Sequence, residues 1–178
     1  DTRNRYESDI GRFKGAILPN TENFRDLPDL VAQYESYKDK KFLMYCTGGI
    51  RCEKATVLFR IAGFKKVFQL HGGIVNYWKE EGADLWEGDC FVFDARVSVR
   101  HQLSEGPHQL CYACRNPILP KDQNHRKYEH GVSCHQCFDK TSDLNKSRFR
   151  ERQKQIKLAR DRGAKHMACL LYTSPSPR

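Results

Sequence analysis

Cys46-Thr47-Gly48-Gly49-Ile50-Arg51 is the segment of this sequence best equipped for chemistry. Cysteine reacts as its thiolate, which is stabilised where a strand hands over to a helix, by converging backbone N–H groups, the positive end of the helix dipole and a nearby cation. Gly48 and Gly49 let the chain turn so that successive amides face the sulfur, and Arg51 adds a fixed charge. Four residues lie between Cys46 and Arg51, one fewer than in loops that wrap a phosphate, so the cradle favours a sulfur-sized anion. The expected roles are Cys46 as nucleophile or persulfide carrier, Arg51 as anion stabiliser, and the amides of Thr47, Gly48, Gly49 and Ile50 as the cradle. The plain alternative is a structural cysteine in a strand–turn–helix. Cys52, next to Arg51, is read either as a small packing residue of the helix's first turn or as a thiol able to resolve a disulfide or persulfide on Cys46.

A second sulfur pattern follows. Cys111-Tyr112-Ala113-Cys114 and Cys134-His135-Gln136-Cys137 are separated by nineteen residues, a spacing that predicts a tetrahedral four-cysteine zinc site. The polar segment between the pairs has too few apolar groups to fold unaided, so metal binding would supply the stability. Four thiolates close the shell, which makes the site structural rather than catalytic. His108 and His135 are substitute ligands or surface residues, and a redox pair or another metal are the competing readings of the cysteines.

The elements that must hold these groups are legible in the surrounding periodicity. Phe42 to Tyr45 reads as a strand feeding the Cys46 loop, and Glu53 to Ala62 as the helix leaving it. Lys66 to Leu70 repeats the strand signal, Gly72-Gly73 punctuates it, and Ile74 to Glu80 is helical again. Upstream, Ala16 to Leu18 reads as a short strand, and Asp26 to Tyr37 as an amphipathic helix capped by Asp26 with Pro28 in its first turn. Phe91 to Phe93 is one more strand. Strands alternating with helices imply an α/β fold with a parallel sheet flanked by helices, followed by a small cysteine-rich zinc-binding segment and a basic C-terminal helix. The expected boundaries are 1–95 for the α/β domain, 96–139 for the cysteine-rich segment, 140–168 for the basic tail, and 169–178 for a stretch whose composition resembles vector read-through. Cys169 therefore receives no role, and with its start at Asp1 and no Met the chain is expected to be a fragment at both ends.

Charge adds a partner class. With 31 Lys and Arg against 22 Asp and Glu the net charge is +9, and such a surface attracts polyanions. Between Phe138 and Met167 ten basic residues face four acidic ones, so this tail supplies most of the excess. Lys146, Arg148, Arg150, Arg152, Lys154, Lys157, Arg160 and Arg162 are candidate RNA phosphate contacts, or else the solvated face of a basic helix. No apolar run is long enough to cross a bilayer, so no membrane partner is expected. Six of the eight cysteines fall in motifs that need thiolates, which favours a reducing cytoplasm over a disulfide framework.

The Cys46 loop with its strand and helix, Gly72-Gly73-Ile74, and the upstream Asp1, Arg3, Asn4, Tyr6 and Glu7 together resemble a rhodanese domain over roughly residues 1 to 95. In similar domains Arg3 and Glu7 would pair near the loop; read alone, they are equally well solvated charges. Tyr45 to Ala55, Phe91-Val92-Phe93-Asp94 with Arg96, the Cys111 and Cys134 pairs, and the basic tail occur in an order that resembles the bacterial oxygen-dependent tRNA uridine hydroxylases, from Asp1 to about Met167. That resemblance implies tRNA as partner, 5-hydroxyuridine at the wobble position as product, molecular oxygen as cosubstrate and Cys46 as the required residue. It also implies an N-terminal α/β domain that this sequence lacks.

Three functions remain open on the sequence. The chain is a tRNA uridine hydroxylase, or a sulfurtransferase passing a Cys46 persulfide sulfur to cyanide, a protein thiol or RNA, with a sulfur donor or acceptor protein as partner, or a non-enzymatic zinc-stapled RNA-binding module. The sequence shows no His-His-carboxylate iron pattern and no flavin fingerprint, so the oxygen step has no residue-level derivation.

Overall fold

In the computed structural model, residues 1–94 and 96–164 are described, and the stretch at 169–178 lies outside them. The described residues divide into two compact units, Asp1–Val92 with Ser98–Gly106, and those of 93–97 with those from Pro107 to Ala164.

In the first unit the pair that positions the reactive loop is β2 (Phe42–Met44) and β3 (Val67–Gln69), which run parallel with Phe42 opposite Val67 and Met44 opposite Gln69. A parallel pair needs a long crossover, and α3 (Ile50–Ile61) supplies it. Side chains alternate across β2 and beyond, so Met44 and Cys46 enter one core cluster while Tyr45 enters the other. The first cluster packs Cys52, Ala55 and Phe59 of α3 against Leu27, Val31, Phe64 and Val67. Cys52, Ala55, Thr56 and Phe59 are the buried positions of α3, the i, i+3, i+4, i+7 spacing of a single helix face. The second cluster packs Ile74 and Trp78 of α4 (Gly73–Glu80) against Trp86, Cys90, Val92 and Val99.

The α/β class holds, with differences in detail. Among the described residues the parallel sheet is a single pair, and the remaining ladders are antiparallel. The strand expected at Ala16–Leu18 forms instead as β1 (Gly11–Phe13), paired with β4 (Trp86–Gly88). Gly11 weakens a strand by propensity, yet a Cβ there would lie 2.1 Å from the Asp89 carbonyl oxygen, so only glycine permits this pairing. Phe13 then stacks edge-on against Tyr45, Tyr77 and Trp86. The helix expected over 26–37 is a short α2 (Leu27–Leu30) running into 3₁₀ turns at Val31–Tyr37. Three residues per turn bring Val31, Tyr34 and Tyr37 onto one side, where both tyrosines meet Phe42. Asp26 does not cap α2; its carboxylate accepts from the Asn23 amide instead. The last expected strand shortens to β5 (Cys90–Phe91), antiparallel to β6 (Ser98–Val99).

In the second unit a two-residue ladder, β7 (Gln109–Leu110) with β8 (Pro117–Ile118), closes the turn that carries Cys111 and Cys114. The basic tail forms α5 (Asp143–Asp161), whose N-cap Ser142 accepts from the Asn145 amide at 3.3 Å. No helix among the described residues is long and apolar enough to cross a membrane.

Phe59 meets Phe42, Phe64 and Tyr34 at ring separations of 5.5, 4.9 and 6.0 Å. Phe59→Ala is expected to lower the stability of the first unit by roughly 3–5 kcal/mol, read as a shifted denaturant midpoint.

Candidate functional site

The loop is held from behind by α4. Its first amides reach back to the loop's carbonyls, Ile74 N–H to Cys46 O at 3.0 Å and Val75 N–H to Thr47 O at 3.3 Å. With those carbonyls tied outward, the amides that follow turn inward. Gly73 makes the approach possible: at φ +67° a Cβ would lie 2.5 Å from Cys46 O, 2.6 Å from Thr47 O and 2.8 Å from Gly49 N. On the other flank the Thr47 hydroxyl donates to Phe91 O at 3.2 Å. α3 begins a turn earlier than its periodicity predicts, because Gly49 at φ +91° serves as its N-cap and sends Ile50, Arg51 and Cys52 straight into the helix.

Cys46, only 2% exposed, receives the Gly49 amide at 3.1 Å, and the amides of Arg51 and Cys52 also donate to it. The Cys52 thiol, hydrogen-bonded to the same sulfur, contributes most to lowering its pKa. Burial opposes, the Arg51 amide and guanidinium reinforce, and the Cys46 pKa comes down to about 5. Cys46 is therefore a thiolate at neutral pH. Cys52 is driven the other way by its bond to Cys46 and by burial, and keeps its proton. The sulfur-facing donors are thus Gly49, Arg51 and Cys52, while Gly48 and Ile50 lie exposed at the loop's outer side.

Arg51 is fixed by a partner that the sequence did not reveal. Glu7, fully buried, binds its guanidinium through both oxygens at 2.6 and 2.7 Å and also accepts the Asn4 amide at 3.1 Å. Burial acts against the Arg51 charge, but the Glu7 carboxylate outweighs it and holds the pKa above the usual guanidinium value. The ion pair expected between Arg3 and Glu7 is replaced by two others. Arg3 pairs with Asp1 at 2.7 Å, lies over the Trp86 and Tyr45 rings, and donates to Gly11 O and Glu7 O. It thereby fixes the short helix α1 (Arg5–Ser8) that carries Glu7. Cys90 gives the contrast of a structural thiol: burial pushes its pKa up to about 11.

In the second unit Cys111, Cys114, Cys134 and Cys137 bring their sulfurs within 4.8 Å of one another. A four-thiolate tetrahedron around zinc has sulfur–sulfur edges of ~3.8 Å. The separations are 3.7 Å for Cys134–Cys137, 3.8 Å for Cys114–Cys134 and 4.0 Å for Cys111–Cys137. The four residues can hold a metal ion, and they also form most of the buried core of this unit.

The eight basic candidates divide. Lys146 is buried with its ammonium 4.0 Å from the Phe138 ring centre. Arg150 forms a two-pronged pair with Glu129, and Arg152 donates to the carbonyls of Tyr112 and Gly131. Those three hold α5 to its own unit. Arg148, Lys154, Lys157, Arg160 and Arg162 are exposed.

Residues 1–80 match the model of the rhodanese-like domain. The chain is 57% identical over 171 residues to a protein of Ruegeria pomeroyi, covering 94% of this chain and 57% of that protein. It is 55% identical over 170 residues to one of Agrobacterium fabrum and 52% identical over 170 residues to one of Teredinibacter turnerae, covering 94% of this chain and 54% and 53% of those proteins. All three relatives are named tRNA uridine(34) hydroxylase. The chain spans a little over half the length of these relatives.

Alkylation of Cys46 by iodoacetamide is expected to rise through a midpoint near pH 5. Cys52→Ala and Arg51→Ala should each move that midpoint upward, since each removes a group that favours the thiolate. A wild-type midpoint near the free-thiol value of ~8.5 would contradict the cradle. Because the folded pKa lies below the unfolded one, the Cys46 contribution to stability grows with pH between the two and is lost as pH falls through about 5.

Proposed function

This chain carries a rhodanese-like domain and is homologous over 94% of its length to proteins named tRNA uridine(34) hydroxylase, and from that premise we propose that its full-length protein hydroxylates uridine 34 of tRNA. The observation that carries this reading is that near-complete match. The loop supports it by offering a nucleophile. Uracil is electron-poor at C6, and a thiolate adding there leaves an electron pair at C5, the carbon that becomes hydroxylated in 5-hydroxyuridine. Cys46 is the nucleophile, Arg51 and the Gly49 amide restrain its charge, and Glu7 holds Arg51 in place. Molecular oxygen is the cosubstrate. Placing one of its atoms on C5 sends the other to water, so the reaction also consumes two electrons and two protons from a donor other than tRNA. The exposed Arg148, Lys154, Lys157, Arg160 and Arg162 are the phosphate contacts of the tail. We place one structural zinc on Cys111, Cys114, Cys134 and Cys137, supported by edges close to those of a zinc tetrahedron. The cytoplasm, where thiols stay reduced and tRNA resides, is the proposed compartment.

A second reading, sulfur transfer through a Cys46 persulfide, rests on the same anion-stabilising cradle. It predicts sulfur on Cys46 that cyanide removes as thiocyanate, whereas the hydroxylase reading predicts a product on tRNA that requires oxygen.

In cells whose only copy of the full-length protein carries Cys46→Ala, mass spectrometry of tRNA is expected to show 5-hydroxyuridine abolished, and Arg51→Ala should slow its formation by roughly 100-fold. An unchanged level in the Cys46 variant would sink the hydroxylase reading. Alanine at each exposed basic position should weaken tRNA binding and reduce the slope of log affinity against log salt by up to about 1 for each phosphate no longer neutralised. Lys146→Ala should instead destabilise the fold, visible as a lower melting temperature. Protein purified without added metal is expected to contain one zinc per chain, and its removal by a chelator should unfold the second unit.

A further inference from the structure

Tyr112 lies inside the first cysteine turn of the second unit, outside that unit's core cluster, with 45% of its surface exposed. Its backbone is held on every side. The Arg115 amide closes the turn on Cys111 O at 2.7 Å, and the Cys111 amide donates to Asn116 O at 2.9 Å. From α5, Arg152 donates through one nitrogen to Tyr112 O at 3.2 Å and to Gly131 O at 2.8 Å. One guanidinium thus fastens two turns, the one that carries Tyr112 and the one that carries His130. Gly131, at φ +73°, brings the second of these turns against the Gln153 side chain of α5. The exposed His130 ring then stands 5.8 Å from the Tyr112 ring at a tilt of 60°. At that tilt the rings do not cover each other face to face, and Tyr112 offers a flat apolar surface on a fixed backbone.

The charge around the rings has one sign. Arg115 ends the cysteine turn and is exposed. Arg148, also exposed, lies one helical turn before Arg152 on the same side of α5. The Glu129 carboxylate beside His130 is taken through both oxygens by Arg150. An aromatic face framed by cations matches a nucleotide, which brings an apolar plane and an anionic phosphate together. An acidic peptide would engage the cations and leave the rings idle. We propose that Tyr112, with His130 beside it, is a stacking platform for an unpaired base of RNA, and that Arg148 takes a phosphate of the same strand. The choice of RNA rests on the tRNA reading above; the platform rests on the rings and the charge that frames them.

Stacking and phosphate binding respond differently to salt, because only the second releases counterions. In fluorescence anisotropy, the full chain is expected to bind a labelled uridylate strand of about eight nucleotides more tightly than an abasic sugar-phosphate strand of the same length. Tyr112→Ala should weaken uridylate binding roughly 10-fold, leave the abasic strand unaffected and keep the slope of log affinity against log salt. Tyr112→Trp should retain the wild-type preference. Arg148→Ala should do the reverse of Tyr112→Ala, weakening both strands alike and lowering the slope. A measurement on the wild type covers the case of a variant that folds poorly. Irradiated with a strand containing 4-thiouridine and digested with trypsin, the chain should carry the crosslink on peptide 101–115, which holds Tyr112, or on peptide 128–140, which holds His130. Equal wild-type affinity for the two strands, equal losses for both in Tyr112→Ala, or crosslinks confined to other peptides would overturn the proposal. These readouts follow binding without reaction, so a failed platform leaves the hydroxylase reading standing, and 5-hydroxyuridine unchanged in Cys46→Ala leaves the platform standing.

Discussion

A negative sulfur in the core of the first unit is the constraint to which the rest of that unit answers. An ion taken out of water destabilises a fold by several kcal/mol unless hydrogen bonds and an opposite charge replace its hydration. Cys46 is given three amides, one thiol and a guanidinium. Each provider requires another. Arg51 requires Glu7, Glu7 sits on a single turn of helix, and that turn is fixed by Arg3, which itself lies between aromatic rings and against Asp1. The first few residues of the chain thus stabilise a charge some forty positions further along.

The second unit meets a comparable problem by different means. Its buried core is mostly sulfur, with Ile118 as the main aliphatic member. Hydrophobic burial on that scale is too small to hold a unit that includes a nineteen-residue charged helix. A metal ion held by the four cysteines would supply a cross-link where the apolar core is missing. Lys146, Arg150 and Arg152 then fasten α5 to this small body, which divides the basic tail into charges that hold the helix and charges left toward solvent.

What could be read from the sequence was what lies close together along it. The loop is contiguous, its amides and Arg51 follow from the order of residues, and the cysteine pairs announce themselves by spacing. The missed parts are long-range or depend on which side of an element a residue lands. Glu7 and Arg51 are 44 positions apart, and nothing in either neighbourhood names the other. Gly11 looked like a loop residue because propensity disfavours it in a strand, while the real constraint is the backbone of Asp89 crossing over it. The basic residues of α5 are alike in the sequence and differ only in what the folded unit places beside them. Cys52 was legible as a thiol near a thiol, but its contact with the Thr2 hydroxyl, 50 positions away, was not.

Gly73 has a bearing on any attempt to move this reactive centre into another scaffold. The six residues from Cys46 to Arg51 are not a portable cassette, since the carbonyls of Cys46 and Thr47 are claimed by amides from a helix more than twenty positions away. A donor protein would have to contribute two discontinuous strips of backbone, the loop and the Gly72-Gly73 turn, at a separation that a single methyl group would spoil. A graft of the loop alone would transplant the cysteine and leave its acidity behind.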